Sequence, residues 1–123
     1  MDQKTILTAL AIVAVFIYLR WRRMMRRSHP KLLASALANG ALVLDVRSKE
    51  EFDRGHYPGA RNIPLENLSG EVTSLQARPD QPVIIYCQSG MRAAMARRLL
   101  QEAGYTQVLN AGSLGNLPPV KTE

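Results

Sequence analysis

The 123-residue chain contains one cysteine, Cys87, and it occupies the position best suited to chemistry. It closes an apolar run of strand length, Val83 to Tyr86, and the turn Gln88-Ser89-Gly90-Met91 leads from it into a helical pattern starting at about Arg92. Backbone N–H groups at a helix start point outward unpaired, and the helix dipole adds partial positive charge, so an anion placed there is stabilised. A thiolate is such an anion, which makes Cys87 a candidate nucleophile near neutral pH. Arg92 adds a fixed positive charge and a forked donor at the far lip of the loop, suited to an oxyanion. Gly90 opens turn conformations closed to other residues. An isolated cysteine is more commonly a small buried hydrophobe; the strand–turn–helix placement and the arginine favour chemistry. No histidine lies in the loop, so the Cys–His pairing of thiol proteases has no local support. With a single thiol there is no intramolecular disulfide and no C-x-x-C motif. No metal cluster or nucleotide loop is visible, and no cofactor is expected.

The elements around this loop can be read from periodicity. Ser28-His29-Pro30 resembles a helix start, and Leu32, Leu33, Ala36 and Leu37 form a helical stripe ending at Asn39-Gly40. Ala41 to Leu44 reads as a buried strand that delivers Asp45 to its C-terminal end. Ser48 and Glu51 stand at capping-box spacing, predicting a short helix that stops at Gly55. Ala60 to Ile63 is a short strand, and Leu65, Leu68, Val72 and Leu75 repeat as one helix face would. Val83 to Tyr86 is a second strand, residues 93–103 a helix closed by Gly104, and Val108-Leu109 a last strand. Strands alternating with helices predict an α/β domain with a mostly parallel central sheet covered on both faces.

At this point a resemblance becomes visible. Cys87-Gln88-Ser89-Gly90-Met91-Arg92 resembles the C-x-x-G-x-R loop of single-domain rhodaneses. Asp45-Val46-Arg47, Glu51-Phe52 and Gly55-His56-Tyr57-Pro58-Gly59-Ala60-Arg61-Asn62-Ile63-Pro64 look like the D-x-R…E-F…G-H-x-x-G-A-x-N-I-P signature of the same family. The two motifs occur in the family's order and span about residues 32–117. The resemblance implies a rhodanese-like three-layer domain and sulfurtransferase activity. Cys87 would take sulfane sulfur from thiosulfate or a persulfide, hold it as a persulfide, and pass it to cyanide, a thiol or a protein acceptor. Gln88, Ser89, Gly90, Met91 and Arg92 would cradle the sulfur and bind the donor. Asp45, Arg47, Glu51 and His56 match the signature as structural residues that tie strand ends to the neighbouring helix. The chain departs from the family near its end, where a Gly-Gly followed by a Trp is usual and Asn110-Ala111-Gly112-Ser113-Leu114-Gly115-Asn116-Leu117 stands instead.

The formal charge of +6 is unevenly placed: residues 1–31 hold seven Lys/Arg against Asp2, and residues 32–123 hold nine against nine acidic residues. A neutral domain beside a basic strip argues for membrane topology and against nucleic acid, whose binding needs the basic face on the folded module. Thr5 to Leu19 is without charge, and Arg20, Arg22, Arg23, Arg26 and Arg27 follow it. Fifteen apolar residues are fewer than the roughly 20 of an ordinary span, but Lys4 and Arg20 can snorkel while Tyr18 and Trp21 sit at the interface. Signal peptides carry their positive charge before the apolar run, so an uncleaved anchor is the expectation. The expected organisation is a tail over 1–4, a transmembrane helix with a basic end over 5–27, the rhodanese domain over 28–117 and a tail over 118–123. The arginine side, with the domain, would face the cytoplasm of a cell with this helix in its inner membrane.

Two other functions use the same features. A non-catalytic rhodanese-like module could tether a partner at the membrane, although retention of both Cys87 and Arg92 weighs against it. A cysteine phosphatase or arsenate reductase also cradles a thiolate before a helix, but the related phosphatases enclose a longer loop than the four residues between Cys87 and Arg92.

Overall fold

The computed structural model describes residues Met1 to Val120, so the expected tail over 118–123 lies partly outside the described residues. Helix α1 (Gln3–Met24) is capped by Asp2, whose carboxylate accepts from the Thr5 N–H and hydroxyl. None of its residues is buried, and its mean hydropathy reaches 1.6. At 1.5 Å per residue it is about 33 Å long, of which the charge-free part from Thr5 to Leu19 gives about 22 Å toward the roughly 30 Å of a bilayer's hydrocarbon core, with the flanking Lys4 and Arg20 side chains left to reach the interfaces. It is a candidate membrane span; a signal sequence shares that length and composition.

Helix α2 (Pro30–Ala38) starts on a proline at a position where a missing N–H is harmless, and His29 caps it through Nδ1. Strand β1 (Leu42–Asp45) follows, then α3 (Lys49–Asp53) with the Ser48–Glu51 capping box formed in both directions. Strand β2 (Arg61–Asn62) is shorter than the expected Ala60–Ile63 run. The stripe from Leu65 to Leu75 divides into α4 (Leu65–Glu71) and a 3-10 turn over Val72–Leu75, where Gly70 and the β-branched Val72 and Thr73 weaken the regular helix. Strand β3 (Val83–Cys87), helix α5 (Met91–Glu102) and strand β4 (Val108–Ser113) complete the domain.

All four strands are parallel, in the order β2-β1-β3-β4. The chain therefore leaves β1 toward one edge and returns to build the other edge with β3 and β4. The order reverses between β1 and β3, and the C-terminal ends of two strands that diverge this way leave the crevice in which α/β folds place their ligands. Asp45 and Cys87 end those two strands. Alternation along β3 decides which face each side chain joins. Val83, Ile85 and Cys87 pack with Leu68, Ala93, Ala96 and Leu100 under α4 and α5, while Ile84 and Tyr86 pack with Leu33 and Ala36 under α2.

Strand β4 is longer than the expected Val108-Leu109 pair. Its register slips between Ile85 and Tyr86, which oppose Asn110 and Gly112, so Ala111 is an extra, bulged residue. Asn110 and Gly112 are poor strand formers, which is why the pairing beyond Leu109 leaves little trace in the sequence.

Candidate functional site

Cys87 is fully buried, at the last position of β3. One side of it belongs to the apolar cluster under α5; on the other, its Sγ accepts the Gly90 N–H at 2.9 Å. That bond requires the Gly90 peptide to turn back over the cysteine, which it does at φ 99, a left-handed conformation open to glycine. A Cβ on Gly90 would also stand 3.2 Å from the Gly112 Cα. Gly90 is the N-cap of α5 and supplies no side-chain cap, so the first amides of the 12-residue helix are left free at the sulfur's end. Gln88, Ser89 and Met91 form an exposed lip above the buried Cys87 and Gly90. Of the expected loop residues, Gly90 is the one hydrogen-bonded to the sulfur.

Arg92 stands where the spacing places it, but its guanidinium is engaged. Nη1 and Nη2 donate to the two Glu51 carboxylate oxygens at 2.6 and 3.0 Å, a fork-to-fork pair joining α5 to α3. The Arg92 hydrogen bond, first among its causes, holds the Glu51 carboxyl down at about 2, with burial opposing it. The same bond raises Arg92 above its ordinary value. An incoming oxyanion therefore meets a guanidinium already shared with a carboxylate.

The other signature residues make a separate knot at the end of β1. Asp45 is fully buried and receives Arg47 in bidentate fashion, with Nε at 3.0 Å and Nη2 at 2.7 Å, as well as the Arg47 N–H at 2.9 Å. Arg47 donates onward to the Gly55 carbonyl at 2.7 Å and lies over the Tyr86 ring. Asn62 closes the knot by donating to the carbonyls of Asp45 and Arg47. Burial, foremost, pushes the Tyr86 hydroxyl up to about 12; it stays protonated and accepts the Tyr57 N–H at 3.0 Å. His56 stacks on Phe52 and bonds its carbonyl at 3.0 Å, contacts confined to its own turn.

Sequence reasoning missed Asn110. Its side chain is fully buried beneath the loop: Nδ2 donates to the Gly90 carbonyl at 3.4 Å and Oδ1 accepts the Gly112 N–H at 2.8 Å. Its own carbonyl accepts from Ser28 N–H at 2.8 Å, so the segment after α1 is pinned to the same strand end. The available signal was an asparagine between Leu109 and Ala111 at the close of a buried strand, where a polar side chain must find partners.

Comparison with known proteins bears on the family and the fold. The family model described as rhodanese-like domain matches residues 29–113. The thiosulfate sulfurtransferase PspE of Escherichia coli is 36% identical over 80 residues, covering 63% of this chain and 77% of that protein. Bacillus subtilis YqhL is 41% identical over 70 residues, 57% of this chain, and the chain spans only about half of YqhL, 54% of its length. Among solved structures, a rhodanese with anions from E. coli superposes with a TM-score of 0.60 at 34% identity, over 68% of this chain and all of that one. The described fold is a single domain homologous to thiosulfate sulfurtransferases, and the chain belongs to the rhodanese-like domain family.

Proposed function

We propose that this protein is a sulfurtransferase that carries sulfane sulfur on Cys87 while held at a membrane by α1. The observation that carries the reading is the Gly90 N–H directed at Cys87 Sγ at the uncapped start of α5. With thiosulfate as donor, the Cys87 thiolate attacks the sulfane sulfur. A Cys87 S–S bond forms, the S–S bond of thiosulfate breaks, and sulfite leaves with the electron pair. The terminal sulfur of the persulfide carries the negative charge, which the free first amides of α5 stabilise. Attack on that sulfur by cyanide, a thiol or a protein thiolate then releases the Cys87 thiolate.

Gln88, Ser89, Gly90, Met91 and Arg92 hold the donor and the transferred sulfur. Arg92, paired with Glu51, does so chiefly by fixing the far end of the loop, with its remaining N–H groups available to a donor oxyanion. The domain spans residues 28–117, and the arginines after the apolar stretch favour a cytoplasmic domain on an inner membrane.

Mass spectrometry of the full chain after exposure to thiosulfate tests the reading. One added sulfur on Cys87, absent in Cys87→Ser, is expected, with thiosulfate-dependent turnover that the same substitution abolishes. A thiol that stays unmodified under several sulfur donors would instead favour the tethering module.

A further inference from the structure

Beyond α1 and the N-terminal Met1 before it, the large apolar side chains exposed among the described residues are Leu32, Met91, Met95 and Val120. Two of these stand one turn apart on α5, half exposed at 51% and 48%. They line one groove together with Trp21 and Met24 of α1, Leu65 of α4 and Leu99 of α5, and the Arg98–Glu102 ion pair of α5 stands at its edge. The groove's depth relative to a bilayer follows from the sequence of α1. The residues of α1 that flank α5 run from Phe16 to Met24, and this is where the charge-free stretch ends and the arginines begin. Arg97 of α5 donates to the Met24 carbonyl at 3.3 Å, which holds the two helices together. When α1 spans a bilayer, α5 therefore sits at headgroup level.

We infer that the α5 face bearing Met91 and Met95 rests on a phospholipid surface, so that the Cys87–Arg92 loop opens at the bilayer rather than away from it. The inference rests on the reading of α1 as a membrane span. The occupant is chosen by charge and by continuity. Among the described residues Arg20, Arg22, Arg23 and Arg26 have no ion-pair partner, and Arg20 and Arg23 line, with Arg97, the neighbouring groove that shares Trp21 and Met24 with the strip. Apolar side chains flanked by guanidinium groups match an interface in which acyl chains lie under phosphates. The strip is also continuous with the apolar surface of α1 through Trp21 and Met24. Because Met91 belongs to both the strip and the sulfur loop, donors or acceptors gathered at a membrane surface arrive beside the loop that covers Cys87.

The single tryptophan makes the test simple. The full chain is placed in nanodiscs containing phosphatidylglycerol and brominated phosphatidylcholine, and Trp21 quenching is measured. Met95→Trp and, as a control on α2, Leu32→Trp are each built on Trp21→Phe. Quenching of the Met95→Trp reporter severalfold above the Leu32→Trp reporter is expected, approaching that of native Trp21. If Trp21 is quenched and the Met95→Trp reporter is not, the anchor stands and the inference falls; if neither is quenched, both fall. Shielding of the Met95→Trp reporter by a second copy, seen as cross-linked dimer without lipid quenching, also overturns it. In the unaltered chain, spin-labelled lipid should broaden the Met95 methyl resonance, a readout that needs no substitution. None of these signals depends on Cys87, so the sulfurtransferase reading survives or fails separately.

Discussion

Arg92 and Glu51 meet fork to fork across two helices, at 2.6 and 3.0 Å, which makes the far end of the sulfur loop part of a bridge between α5 and α3. The carboxyl of Glu51 lies at about 2 in the folded chain. A depressed carboxyl contributes stability that is complete above the ordinary glutamate value and is lost as pH falls through the folded value. Stability should therefore decline between about pH 4.5 and pH 2, with Arg92 charged throughout. Both side chains are partly exposed, at 24% and 33%, so solvent screening reduces the contribution to about 1–2 kcal/mol. Urea unfolding of Glu51→Gln across this range should show a lower midpoint at pH 7 and a shallower decline in acid. An unchanged acid limb would mean that the pair does not support the loop.

The Gly90 peptide makes a sharper prediction. Alanine there must adopt φ 99 and bring its Cβ to within 3.2 Å of the Gly112 Cα. The strain is on the order of 1–3 kcal/mol. Relief by rotation would withdraw the N–H from Cys87 Sγ, so Gly90→Ala should lose both stability and thiol reactivity. Iodoacetamide alkylation of Cys87 at pH 7 is expected to slow at least severalfold relative to the native chain. Native alkylation rates in the folded variant would remove the Gly90 amide from the mechanism.

Asn110 holds the same peptide from below. Replacing it with leucine leaves the Gly112 N–H without its acceptor and removes the amide from the Gly90 carbonyl, which keeps its bond from Ala94. A loss of about 1–3 kcal/mol is expected for the orphaned buried group. If Asn110 positions the loop, sulfur loading of the folded fraction should also drop. Native loading in the folded fraction would assign Asn110 to stability alone.

How much of this was legible in the sequence depended on the range of the contact. The Ser48–Glu51 capping box, the Pro30 helix start and the strand–turn–helix around Cys87 are local, and each is encoded within a few residues of itself. The parallel sheet follows from the alternation of elements. Two features lie beyond that range. The partner of Arg92 is 41 residues away, and nothing local distinguishes an arginine that awaits a ligand from one that meets Glu51. The bulge at Ala111 arises from pairing with β3, so nothing local in the run from Asn110 to Gly112, which departs from the family pattern, marked it as the floor of the loop.

The Asp45 knot should separate folding from chemistry. Asp45→Asn keeps the shape but leaves the Arg47 guanidinium, 11% exposed, without its counter-charge. Breaking such a buried pair costs about 3–5 kcal/mol. The melting temperature should fall by several degrees or more, while sulfur transfer per folded molecule changes little, since Asp45 bonds Arg47 and not the cysteine loop. A selective loss of turnover with native stability would make Asp45 part of the reaction.

The last prediction concerns what the loop excludes. Four residues separate Cys87 from Arg92, Gly90 already folds its N–H onto Sγ, and the cysteine itself is fully covered. A single sulfur atom extends the side chain by one bond toward the free amides of α5. A tetrahedral phosphoryl group requires room for three further oxygens and for a guanidinium free to bind them in pairs, and Arg92 is already shared with Glu51. The full chain should therefore turn over thiosulfate and leave p-nitrophenyl phosphate intact under the same conditions. Phosphatase activity lost in Cys87→Ser, without any sulfur transfer, would reverse the assignment. Lengthening the loop by one glycine after Ser89 is expected to weaken sulfur loading by displacing the Gly90 amide, and loading that survives the insertion would show that the tight fit has no part in selecting the substrate.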